Sequence, residues 1–150
     1  MVNCTLSNCK YPILLLSVLF SLTACSLHHD ESGDLGGYWH LANIDTLATG
    51  GHCDMSKAPI FWSVQGAILE ARDVDEGVFV MFRYNHNGNT LSLTDARINQ
   101  REQGDPQITD VTNLQPYGIN KLEESFEIEA LSSSTMILRS DMLKLYFKKF

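Results

Sequence analysis

From Gly36 onward the chain alternates apolar and polar residues in short runs broken by turn residues. Alternation with a period of two puts every second side chain on one face of an extended strand. Residues 38–44 (YWHLANI) form the first run, and residues 60–65 (IFWSVQ) and 68–71 (ILEA) flank Gly66 as a hairpin. Residues 78–84 (VFVMFRY) are the most β-prone stretch, and Asn87-Gly88 turns the chain back into residues 90–94 (TLSLT). In residues 124–131, Phe126, Ile128 and Ala130 oppose Glu127 and Glu129. Residues 135–139 (TMILR) and 142–148 (MLKLYFK) complete the set, with Leu143, Leu145 and Phe147 on one face of the last run. Eight strands joined mostly by short loops predict an all-β, up-and-down barrel, which closes without leaving an open edge.

One long connection, from about residue 96 to residue 122, interrupts this rhythm. Thr109 or Asp110 can cap a short helix there, and Pro116 and Gly118 stop it. A connection of this length is either a lid over a site or a plug closing one barrel end.

Residues 1–36 have neither period. Lys10 precedes an apolar run at residues 13–22 (ILLLSVLFSL), and Leu22-Thr23-Ala24-Cys25 follows. The run is short for a bilayer span, which takes about 20 apolar residues, and has the length of a signal-peptide core. The tetrapeptide resembles the lipobox of bacterial lipoproteins. That resemblance implies a signal peptide over residues 1–24, cleavage before Cys25, and a lipid on the Cys25 thiol. Residues 25–35 then read as a polar, flexible tether, and residues 36–150 as the barrel. Asp30, Glu31 and Asp34 are similar to the acidic export signal of Bacteroides-type surface lipoproteins, or else simply solvate the tether. The expected location is the bacterial envelope, at the outer membrane, with the periplasmic and surface faces both open.

The formal net charge of −7 repels phosphate, which argues against nucleic acid as a partner. Cys4 and Cys9 fall in the signal segment, so Cys25 and Cys53 are the cysteines left after cleavage. His52-Cys53-Asp54, in the loop after the first strand, is the most reactive-looking triplet. It lacks metal-ligand spacing and any elbow motif, so no metal, no cofactor and no catalytic set are expected. Asp73, Asp75 and Glu76, and likewise Glu123 and Glu124, read as solvated acids.

Gly37-Tyr38-Trp39 resembles the G-x-W signature of lipocalins, in which the Trp closes the barrel floor and a late Arg packs across its indole. Trp39 and Arg139 are the matching positions. With the runs at residues 60–65, Tyr117-Gly118-Ile119, Met136-Ile137-Leu138 and residues 143–147, the chain is similar to the small lipocalin-like lipoproteins of Bacteroides and relatives. This resemblance implies an eight-stranded barrel and leaves activity open. The aromatic and methionine content of the strands, which would give such a barrel an apolar interior, favours a non-enzymatic protein that binds a small hydrophobic ligand in or at the barrel mouth. Trp62, Phe82, Tyr84, Tyr117 and Phe126 are the candidates to line that site. The alternative is a filled barrel serving as a structural, protein-binding or glycan-binding subunit of the envelope. The partners expected are therefore the membrane, through Cys25, and a small hydrophobic ligand or an envelope protein.

Overall fold

A computed structural model describes residues 32–150. The signal segment, Cys25, the adjacent histidines His28 and His29, and the acidic Asp30 and Glu31 lie outside the described residues. Nine strands form one antiparallel sheet: β1 Gly37–Thr46, β2 Gly51–Asp54, β3 Ile60–Gln65, β4 Ile68–Asp73, β5 Val78–Asn87, β6 Thr90–Ile98, β7 Glu124–Leu131, β8 Thr135–Arg139 and β9 Leu143–Lys149. β1 pairs with β3 on one side and with β9 on the other, so eight strands close into a barrel. The all-β, up-and-down architecture read from the alternation is therefore the observed one.

β2 is the ninth strand. It continues the line of β3 and pairs with the far half of β1, with Ile44 opposite Cys53. The loop assigned to His52, Cys53 and Asp54 is thus a strand. Its residues are all exposed, so no buried alternation marks it in the sequence.

Inward residues alternate as the period predicts. β3 buries Ile60, Trp62 and Val64, while β7 buries Phe126 and Ile128. Trp62 packs against Phe126 (ring centroids 5.8 Å apart) and Phe147 (4.9 Å), and none of the three keeps more than 1% of its surface exposed. A side chain facing a water-sized void would retain accessible area. These rings meet each other instead, as in a packed core.

The two barrel ends differ. At one end, the 3-10 turn Gly33–Leu35 lies under the strands with Leu35 fully buried. The folded unit therefore starts before Gly36, and the tether assigned to residues 25–35 ends earlier. The cause is the Trp39 indole N–H, which donates to the Leu35 carbonyl at 2.8 Å and so binds the turn to the floor. At the other end, residues 99–123 carry three 3-10 turns, Arg101–Gln103, Val111–Asn113 and Gln115–Tyr117. Asp110 supplies the expected cap, accepting from the Thr112 amide at 2.9 Å. Leu114, Tyr117 and Ile119 from this connection are buried in the core.

Candidate functional site

The floor fits the G-x-W motif with one change of partner. Gly37 has φ +122°, and a Cβ there would stand 2.6 Å from the Lys149 side chain. The absent side chain lets Lys149 Nζ lie over the Trp39 ring, 4.8 Å from its centroid, and donate to the Asp34 carbonyl. Arg139, assigned to this place, instead pairs with Glu129 at 3.2 Å on the outside of the barrel. β8 ends at Arg139, far from the floor, whereas β9 ends beside it at Lys149. Replacing Lys149 by Ala should cost about 0.5–2 kcal/mol of stability, and replacing Arg139 by Ala less than about 1 kcal/mol. Chemical denaturation of the two variants gives the comparison.

The five ligand candidates do not converge. Trp62, Phe82 and Phe126 sit in the interior and are essentially inaccessible. Tyr84 is half-buried at the floor end, where its hydroxyl donates to the Gly66 carbonyl at 2.7 Å. Tyr117 is at the opposite end, donating to the Val78 carbonyl at 3.1 Å, and burial raises its phenol pKa. Residue type and alternation put these rings inward but carry no information about height along the barrel.

Three buried polar groups escaped the sequence reading. Glu124 is 3% exposed, in phase with Phe126 and Ile128, and accepts from the Asn120 amide at 2.8 Å. It is not the solvated acid expected; its phase in the alternation was the available signal. The Trp62 indole N–H and the Asn120 side-chain NH2 are buried and find no hydrogen-bond partner among the described residues.

The largest departure from expectation is outside the barrel. Residues 99–105 form a hairpin tip that leans over the outer face of β3, β4 and β5, leaving a groove of about 580 Å³. Ser63, Gln65, Glu70, Arg72, Met81 and Asn99 contribute to its walls. Asn99 ties the tip down, its side chain donating to Glu70 at 2.7 Å and its amide to the Phe79 carbonyl at 2.9 Å. Asp95 and Asp105 at the tip's base have φ of +54° and +51°, a conformation that non-glycine residues hold only when their surroundings fix it. Arg97 does the fixing, donating to the Asp95 carboxylate at 2.9 Å and to the Asp105 carbonyl at 3.2 Å. Arg72, 3.5 Å from Glu70, lies over the Tyr38 and Phe79 rings. The apolar outer face of β5 is thus partly covered by the chain itself.

A second polar array runs across β2, β1, β9 and β7. Asp45 accepts from His52 at 2.6 Å and from Tyr146 at 2.8 Å, and Glu129 binds Lys144 and Arg139. The His52 and Tyr146 hydrogen bonds hold the Asp45 carboxyl below its usual range, and Lys144 and then Arg139 do the same for Glu129. A carboxylate with a depressed folded pKa adds stability above its unfolded pKa and loses it as pH falls through the folded one. Stability should therefore decline on acidification below about pH 4.5. Glu129→Gln should make that decline shallower, as read from urea midpoints against pH; an unchanged slope would contradict it.

Cys53 is exposed, its Sγ 3.5 Å from Met55 Sδ, while its neighbour His52 turns to Asp45. Among the described residues no group of three His, Cys, Asp or Glu side chains could hold a metal ion.

Comparison with solved structures gives the same architecture. A lipocalin-like protein from Bacteroides uniformis superposes with a TM-score of 0.61 at 23% identity, covering 79% of this chain and 100% of that one. An uncharacterized protein from Bacteroides eggerthii gives 0.58 at 18% identity, covering 77% and 98%. A protein from Burkholderia xenovorans gives 0.51 at 15% identity, covering 76% and 81%. At these identities the likeness is one of fold. Comparison with curated proteins gives no match. The family model of the lipocalin-like domain matches residues 18–150, nearly the whole chain, and the chain belongs to that family.

Proposed function

We propose that the chain is a non-enzymatic binding protein of the bacterial envelope, held by lipid on Cys25, that meets its partner with the outside of its barrel. The observation that supports this is the contrast between the two faces of β3–β5. Inside, Trp62, Val64, Leu69, Ala71, Val80 and Phe82 are at most 2% exposed. Outside, the same strands present a groove with amide, carboxylate and guanidinium groups held in place by the Asn99 tip. Specific contact needs a few fixed polar groups beside apolar area, and the outer groove has both. The lipocalin-like barrel serves here as the rigid frame for that groove.

A small hydrophobic ligand at the mouth is the second reading, and specific atoms favour it. The unpartnered Trp62 and Asn120 N–H groups and the buried Glu124 would welcome a ligand's polar end. Such a ligand would have to displace Leu114, Tyr117 and Ile119. Native mass spectrometry after gentle extraction separates the two readings. A bound species that wild type retains and the groove-filling variant Met81→Trp loses supports the outer site. An apolar species retained equally by both would sink it in favour of the mouth.

A further inference from the structure

We propose that the barrel stands on the bilayer on its Trp39 end, with the half-buried, outward-facing rings of Tyr38 and Phe61 and the exposed ring of Phe150 set in the lipid headgroup layer. The proposal rests on the lipid anchor at Cys25 and adds an orientation to it.

The first support is where the chain enters. Seven peptide steps separate Cys25 from Ser32, so at full stretch they span at most about 25 Å. Ser32 leads directly into the turn under Trp39, and Lys149 fastens that turn through the Asp34 carbonyl. A lipid on Cys25 therefore holds this end within reach of the surface.

The second support is what this end displays. Tyr38 and Phe61 stack at 4.7 Å on the outer face, and Phe150 sits edge-on to both at 5.9 and 5.5 Å. Phe150 is 86% exposed although its amide is fixed, donating to the Tyr38 carbonyl at 2.8 Å. Ile68, also exposed, lies at the same end. Lys148 and Lys149 flank the cluster on β9. Rings beside lysines suit a membrane interface, where the rings take the headgroup boundary and the lysines meet lipid phosphates.

The third support is charge. The three strand-to-strand turns at the Trp39 end, residues 66–67, 88–89 and 132–134, carry no charged residue, and the entering turn carries Asp34 with Lys149 bound to its carbonyl. At the opposite end, one turn carries Asp75 and Glu76, and the acids Glu102, Asp105, Asp110 and Glu123 of the long connection outnumber its cations Arg101 and Lys121. An anionic surface repels that end and admits the other.

The test uses the mature, acylated chain in nanodiscs of phosphatidylethanolamine and phosphatidylglycerol doped with a gadolinium-chelating lipid. Amide resonances of Tyr38, Gly66 and Phe150 should broaden several-fold more than those of Gly77, Gly104 and Gly118. Changing Phe61 and Phe150 to Ser should bring the two sets toward equality with the amide spectrum otherwise preserved. Equal broadening at both ends of the wild-type barrel would overturn the proposal. So would sedimentation showing a dimer with the cluster unbroadened, which would make a second copy the occupant. Failure of the anchor itself reads differently: the intact mass would show no acyl chains, removing the tethering premise and the proposal with it.

Discussion

Replacing Trp62 by Ala should lower stability by about 3–5 kcal/mol, the usual cost of removing a fully buried large aromatic. A domain of this size is stable by only about 5–15 kcal/mol, so the variant should melt at least about 10 °C below wild type. The reason is local. The indole is fully buried and packed between Phe126 and Phe147, which β7 and β9 bring from across the barrel. Its loss leaves a void that surrounding strands, hydrogen-bonded on both sides, cannot collapse to fill. The neighbouring Phe61 gives the control. It lies on the outer face, half-buried against Tyr38, and its change to Ala should cost about 1 kcal/mol or somewhat more. Thermal melts of both variants check this; equal, small shifts would show that the interior does not carry the fold.

The second large effect is expected at Gly118, where the long connection returns to the barrel. Its φ is +81°, and a Cβ would stand 2.7 Å from the Leu145 side chain. A left-handed backbone costs a residue with a side chain about 1–2 kcal/mol, and overfilling a packed site typically adds about 1–3 kcal/mol. Gly118→Val should therefore cost about 2–5 kcal/mol by these two effects together. Gly104 separates them, since its φ is +75° but nothing stands within 4 Å of its Cβ position. Gly104→Val should show the backbone cost alone, about 1–2 kcal/mol. The excess at Gly118, read from denaturant midpoints, measures how firmly Tyr117 and Ile119 are seated. Equal costs at the two positions would mean that Leu145 yields and that the connection is loosely held.

Much of this architecture is legible in the amino-acid order. The strand at residues 124–131 declares its inward face through Phe126 and Ile128, and the Gly66 and Asn87-Gly88 turns fix the hairpins. The same logic failed where residues do not bury a face. Gly51–Asp54 is a strand because β1 offers it an edge, and its own exposed residues carry no pattern. Trp39 was readable, but its cation was not: Lys149 reaches it because β9 runs past β1 to the floor. Arg139 offered the better residue type and the wrong place. The outer groove was illegible for a stronger reason. It depends on a tip at residues 99–105 folding back to Glu70, and on backbone conformations at Asp95 and Asp105 that sequence does not favour. Phe79 and Met81 make the outer face of β5 apolar, and their spacing does not say whether a partner or the chain itself meets that face.

The central claim is that the barrel interior is a solid core and that recognition belongs to the outside. Titrating the purified wild-type protein with a long-chain fatty acid, while following tryptophan fluorescence, tests it most directly. Trp39 and Trp62 are the tryptophans, both fully buried, so an occupant of the interior must disturb them. The account predicts no saturable change. A saturable, one-to-one change in the emission of these two buried tryptophans would contradict it.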